Sequence, residues 1–240
     1  MLRIRRKGSV GMRYQLERDL QQLKDDIGRL GGLVEESLDK TIIALRELDA
    51  DLAREIIAHD DEVDNIENKI EKRCLSLFAL QQPLAKDLRM IGSTLKMITD
   101  LERIADHSSD MSELILRLAE KPVKLNNDIF KMAEKARNMV GRSIDAFINE
   151  DMKTATEVCR DDDEIDDYFN ILIMDIASQI KSDAKIAEQL IDIMFIVKYL
   201  ERIGDHATNI GEWAVYNETG RHRHLQHPEE DKEEGTEKNN

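Results

Sequence analysis

The chain repeats itself, and that repeat constrains its fold more than any other feature. Leu101-Glu102-Arg103-Ile104-Ala105-Asp106-His107 returns as Leu200-Glu201-Arg202-Ile203-Gly204-Asp205-His206, with one change in seven. Upstream, Asp60-Asp61-Glu62-Val63-Asp64 returns as Asp162-Asp163-Glu164-Ile165-Asp166. The offsets are 102 residues (Asp60 to Asp162) and 99 residues (Glu102 to Glu201), so two halves align along their length with a small deletion. Self-similarity of this kind fixes an architecture before any single motif does.

Composition says what each half is made of. Aromatics are 4% of the 240 residues and charged residues 35%, with only 3 prolines, a poor recipe for sheet and a good one for long helices. Apolar residues recur three and four apart almost throughout. The spacing predicts a first helix over about 12–48, with stripe Leu16, Leu20, Leu23, Ile27, Leu30 and Val34 and a weak point at Gly31-Gly32. A second follows over about 52–80, and a third over about 84–120, entered at Pro83. Lys121-Pro122 ends it, and the plan recurs over about 128–149, 152–181 and 184–216, with Asn126, Asp151 and Ser182 as caps. The expected fold is all-α, two tandem pseudo-symmetric three-helix bundles. Residues 1–11 read as a basic N-terminal extension, 12–121 and 122–218 as the repeats, and 219–240 as a disordered acidic tail.

The formal charge of −15 argues against nucleic acid, whose phosphates select basic surfaces. No secretory h-region follows the basic start, and no apolar run approaches membrane-spanning length, so a cytoplasmic protein without membrane insertion is expected. Cys74 and Cys159 lack metal-site spacing and read as buried thiols.

Each half carries two acidic pairs at i and i+4: Asp60 with Asp64 and Glu102 with Asp106, then Asp162 with Asp166 and Glu201 with Asp205. That spacing stacks like charges on one helix face, where they repel. In the third helix, Leu84, Leu88, Ile91, Leu95 and Ile98 lead at stripe spacing to Glu102, so an inward-facing glutamate there needs a positive partner, arginine or metal. Asp64 and Glu102 each lie about 19 residues from Pro83, hence at the same level of two antiparallel helices. Four carboxylates then share one site in each half. All-oxygen sites suit hard cations. His107 and His206, next along the helix, are candidates for orienting roles, as are Arg103 and Arg202.

The repeated Leu-Glu-Arg-Ile-(Ala/Gly)-Asp-His, the upstream Asp-x-x-x-Asp and Gln82-Pro83-Leu84-Ala85-Lys86-Asp87-Leu88-Arg89 together resemble the PhoU family over about residues 12–217. The resemblance implies a non-enzymatic, metal-binding protein whose eight acids hold metal ions, in clusters, with iron favoured and manganese or magnesium as other hard candidates. It implies an adaptor between the ATPase of the phosphate ABC transporter and a phosphate-sensing histidine kinase, a negative regulator of the phosphate-starvation response, with a homodimer as one assembly. The second half lacks a counterpart of Pro83 and has Asn209 where the first has Asp110, so unequal sites are expected. Two rival readings are a ferroxidase or metal-storage bundle and a metal-free helical scaffold. The first expects Glu-x-x-His, which these motifs do not supply.

Overall fold

The structure, a computed structural model, describes residues 4–80 and 83–221. Six long helices carry the fold: α1 (Ile4–Glu47), α2 (Ala50–Leu80), α3 (Ala85–Glu120), α4 (Asn127–Asn149), α5 (Met152–Ser182) and α6 (Ala187–Thr219). A 3-10 turn, Ala184–Ile186, precedes α6, and there is no strand among the described residues. The chain is an all-α bundle.

Two turns show how closely the halves copy each other. Leu48 and Glu150, 102 residues apart, both adopt left-handed φ, 51° and 58°. The residue after each caps the next helix. Asp49 Oδ1 accepts from the amides of Asp51 and Leu52, and Asp151 Oδ1 from those of Lys153 and Thr154. Each carboxylate satisfies orphan donors of a first turn. The Glu150 side chain is gripped by Lys24 at 2.6 Å and Lys86 at 3.2 Å, which pull its carboxyl down to about 2.

Within each half every helix packs on the other two. Across the halves, α3 packs on α6 and α1 on α4. Ion pairs fix both cross-contacts as antiparallel: Arg117–Asp192 and His206–Asp100 between α3 and α6, and Lys24–Glu150, Arg137–Asp39 and Arg46–Glu134 between α1 and α4. Equivalent helices meeting antiparallel is the arrangement a two-fold axis produces. The buried residues of both halves join in one core, from Leu23, Ile27, Leu30 and Leu45 on α1 to Ile193, Val197 and Leu200 on α6. Cys74 and Cys159 are buried free thiols.

Several boundaries differ from those expected. Residues 4–11 are the first turns of α1 and not a separate extension. The acidic tail expected over 219–240 lies outside the described residues from 222 onward. Thr219 ends α6, and Gly220 caps it at φ 68°. Ser182 is the last residue of α5, and the cap after it is Asp183, which accepts from the Lys185 amide. Gly31 is no weak point, because α1 runs through it and needs it small. A Cβ there would meet Ile144 Cγ2 of α4 at 2.8 Å. The stripe expected on α3 is rotated: Leu84 and Leu88 are exposed, while Met90, Ile91, Met97, Ile98 and Leu101 are buried.

A core shared by both halves should unfold as one unit. We expect a single chemical-denaturation transition, lowered as a whole by about 3–5 kcal/mol in Phe147→Ala, since Phe147 is fully buried. Two transitions, only one of them shifted, would mean that the halves fold independently.

Candidate metal centre

At the α2–α3 seam three of the four expected acids meet. Asp64 on α2 and Glu102 and Asp106 on α3 each present an oxygen, all within 4.8 Å of one another. Hard cations take carboxylate oxygens at about 2.0–2.6 Å, so such a separation spans one ion or a small cluster. Asp60 stands outside that trio but feels it: burial and then the charges of Asp106 and Asp64 push its carboxyl up to about 6. Burial and neighbouring acids raise Glu102 and Asp106 as well. Glu102 flanks the buried row rather than continuing it, at 26% side-chain exposure. That places its carboxylate at the mouth of the seam, where an ion can arrive from solvent.

Two further carboxylates stand near. Glu67, one turn beyond Asp64, is raised by burial, by Glu71 and by Glu102. Asp110 adds its charge beside Asp60 and Asp106. The sequence motif passed over Glu67, although its i+3 relation to Asp64 puts both on one face. Against these acids stands Arg103, whose guanidinium donates to Asp106 at 2.8 Å and lies 3.4 Å from Glu102, while the neutral His107 ring lies 3.9 Å from Asp110. Arg103 therefore acts from the same helix as a partial counter-charge.

The second half departs from this plan. Burial and Glu201 raise both Asp166 and Asp205, so these three acids sense one another across the α5–α6 seam, but among the described residues they do not close to within 4.8 Å as the first trio does. Arg202 reaches Asp205 at 3.5 Å, as Arg103 reaches Asp106. Asp162, however, is buried in the seam at 4% exposure. Gly204, which stands where the first half has Ala105, leaves room for it. A Cβ on Gly204 would meet Asp162 Oδ1 at 2.9 Å. There Asp162 adds, with Glu212, to the burial that pushes the Cys159 thiol up to about 12. Lys198, which sequence reasoning missed, binds both oxygens of Glu201, at 2.7 and 2.6 Å. The expected positive partner of Glu201 is thus present in the chain itself.

The two histidines face the α3–α6 seam. His206 Nδ1 lies 2.9 Å from Asp100 Oδ1, which also accepts from Asn209. His107 stacks on Tyr199 with ring centroids 5.2 Å apart, and its ring lies 5.6 Å from that of His206. Neither ring nitrogen of His107 has a hydrogen-bond partner, and burial pushes its pKa down to about 4, so it stays neutral. These rings tie the halves together beside the acids.

An all-helical pair of repeats with clustered carboxylates on matching seams defines a class of carboxylate-bearing bundle proteins. The chain matches the PhoU domain twice, over residues 27–115 and 129–214. It is 36% identical over 207 residues to the phosphate-specific transport system accessory protein PhoU homolog of Clostridium acetobutylicum, covering 85% of this chain and 94% of that protein. The homolog from Aquifex aeolicus is 34% identical over 215 residues, covering 88% and 97%. The crystal structure of PhoU from Pseudomonas aeruginosa superposes with a TM-score of 0.83 at 29% identity, over 85% of this chain and 99% of that one. The phosphate transport system regulatory protein PhoU from Streptococcus pneumoniae gives 0.82 at 29%, over 87% and 99%. The chain belongs to the PhoU family.

The raised carboxyls carry a pH dependence with a definite sign. An acid whose pKa is higher folded than unfolded holds its proton more tightly in the native state, so its stabilising contribution is present at low pH and lost as pH rises through about 6. His107 opposes this over part of the range, because its lowered pKa disfavours folding on acidification. A difference measurement separates the two. In metal-free protein, Asp60→Asn should melt above the wild type at pH 7, and the gap should narrow to about half at pH 5 and close below about pH 4. A gap that is absent at pH 7, or unchanged at pH 5, would show that Asp60 titrates normally.

Proposed function

We propose that this chain is a metal-binding regulator of phosphate uptake and of phosphate-starvation signalling. It acts in the cytoplasm as an adaptor between the phosphate ABC transporter ATPase and a phosphate-sensing histidine kinase, repressing the response when phosphate is plentiful. The relatives named as accessory proteins of the phosphate-specific transport system support the setting. The observation that carries the metal reading is the meeting of Asp64, Glu102 and Asp106 within 4.8 Å under one intrahelical arginine.

The donor set fits a hard cation: it is all carboxylate, it is under-neutralised, and it opens at the surface. Ferric iron, manganese and magnesium meet that description. In the first half Asp60, Asp64, Glu102 and Asp106 would hold the metal, and in the second Asp166, Glu201 and Asp205, with Asp162 behind them. A hard ion held at a surface seam supplies positive charge to which a phosphate oxygen or a partner's carboxylate can bind. The protein's own part is to keep the carboxylates level on two rigid helices. Arg103 and Arg202 trim the surplus negative charge. No helix among the described residues is long and apolar enough to cross a membrane. The role is proposed as non-enzymatic.

Elemental analysis of protein purified without a histidine tag tests this reading. Glu102→Ala/Asp106→Ala should lose about half or more of the bound metal while circular dichroism stays unchanged, and it should fail to restore repression at high phosphate in cells lacking the chain. Unaltered metal content, or full repression by the variant, would refute the reading.

A further inference from the structure

The two halves differ by a paired replacement at their acidic seams. Under the 102-residue offset, Glu67 of α2 becomes Phe169 of α5, and under the 99-residue offset, Thr99 of α3 becomes Lys198 of α6. The two new residues meet: the Lys198 ammonium lies 5.1 Å from the centre of the Phe169 ring. It also reaches Glu201 Oε1 and Oε2 at 2.7 and 2.6 Å. An acid has gone, a cation has come, and an aromatic face holds that cation in place. Asp162, meanwhile, has turned inward over Gly204.

We propose that Lys198 is a built-in counter-ion that closes the α5–α6 site and ranks the two sites of the protein. The α2–α3 seam takes a hard divalent cation first. The α5–α6 seam takes one only by displacing the Lys198 ammonium from Glu201. This rests on the metal reading above but adds an order of filling and the residue that sets it.

The charge around each site agrees. In the first half Asp60, Asp64, Glu67, Glu102, Asp106 and Asp110 act on one another, with Arg103 as their ion-pair partner. In the second, Asp166, Glu201 and Asp205 stand against both Arg202 and Lys198. A metal entering the second site must outcompete an ammonium that already touches both oxygens of one ligand. Lys198 is a positioning residue, since it acts through Glu201.

Calorimetric titration of the metal-free full chain with Mn²⁺ is the test. Wild type should show a tight class and a weak class of sites. Lys198→Thr should tighten the weak class by about 10–100-fold, the range in which neighbours of metal ligands act, and leave the tight class unchanged. The reciprocal Glu67→Phe/Thr99→Lys should weaken the tight class by a similar factor. Thr99 is exposed and Glu67 half-buried, and circular dichroism checks that the fold is kept. Two equal classes in wild type, or a weak class indifferent to Lys198→Thr, would overturn the ranking while leaving the metal reading standing. Absence of Mn²⁺ binding in wild type and in Lys198→Thr alike would overturn both.

Discussion

Apolar burial along the α2–α3 and α5–α6 seams holds carboxylates together against their own repulsion, and the chemistry of the molecule depends on that opposition. Two like charges at i and i+4 cost roughly 0.2–0.5 kcal/mol on an exposed helix. Bringing a second pair alongside on a neighbouring helix adds to the cost. The side chains that enforce the approach, Ile98, Leu101, Ile104, Ile165, Val197, Leu200 and Ile203, are buried and indifferent to charge. Each contributes on the order of 1.5–3 kcal/mol when fully buried, so packing wins. The acids cannot move apart without opening a core that both halves share.

Because the halves are copies, each serves as a control for the other. The turns at Leu48-Asp49 and Glu150-Asp151 kept their geometry, as did the arginine three residues before the last acid in Arg103–Asp106 and Arg202–Asp205. What changed lies at the seam mouths. Gly204 stands in place of Ala105 and leaves room for one acid to sit inward. Asp100 and Tyr199 occupy equivalent positions, yet one hydrogen-bonds His206 while the other stacks on His107. Symmetry of backbone has been kept while symmetry of charge has not.

Most of this was legible in the residues. The repeat gave the six helices, and counting from Pro83 placed Glu102 level with Asp64, because helix rise is constant and the turn is short. The features that escaped need a partner to be known first. Lys198 reads as one lysine on a polar face until α5 supplies Phe169 beneath it. Gly204 reads as a weak helix former until Asp162 is found against it. The α3 stripe was misplaced by Leu84 and Leu88, which satisfy the periodicity but lie to one side of the face that is covered at their level, where Asp87 and Met90 are buried instead. Periodicity reports roughly which face is apolar. It does not report on which side of that face the neighbouring helices close.

A fold that stores repulsion in this way ties its stability to cations. Native proteins rest on a margin of about 5–15 kcal/mol, so a few uncompensated carboxylates are a sizeable fraction of it. Any ion bound by the folded chain and not by the unfolded one adds stability that grows with the logarithm of its concentration. The gain is larger where the metal-free state is the more strained, which is the α2–α3 seam with its single ion-pairing arginine. At the α5–α6 seam Lys198 has already relieved part of that strain, leaving less for an external ion to recover. One substitution therefore acts in two directions: it steadies the metal-free fold, and by the same amount of free energy it weakens the pull on a cation.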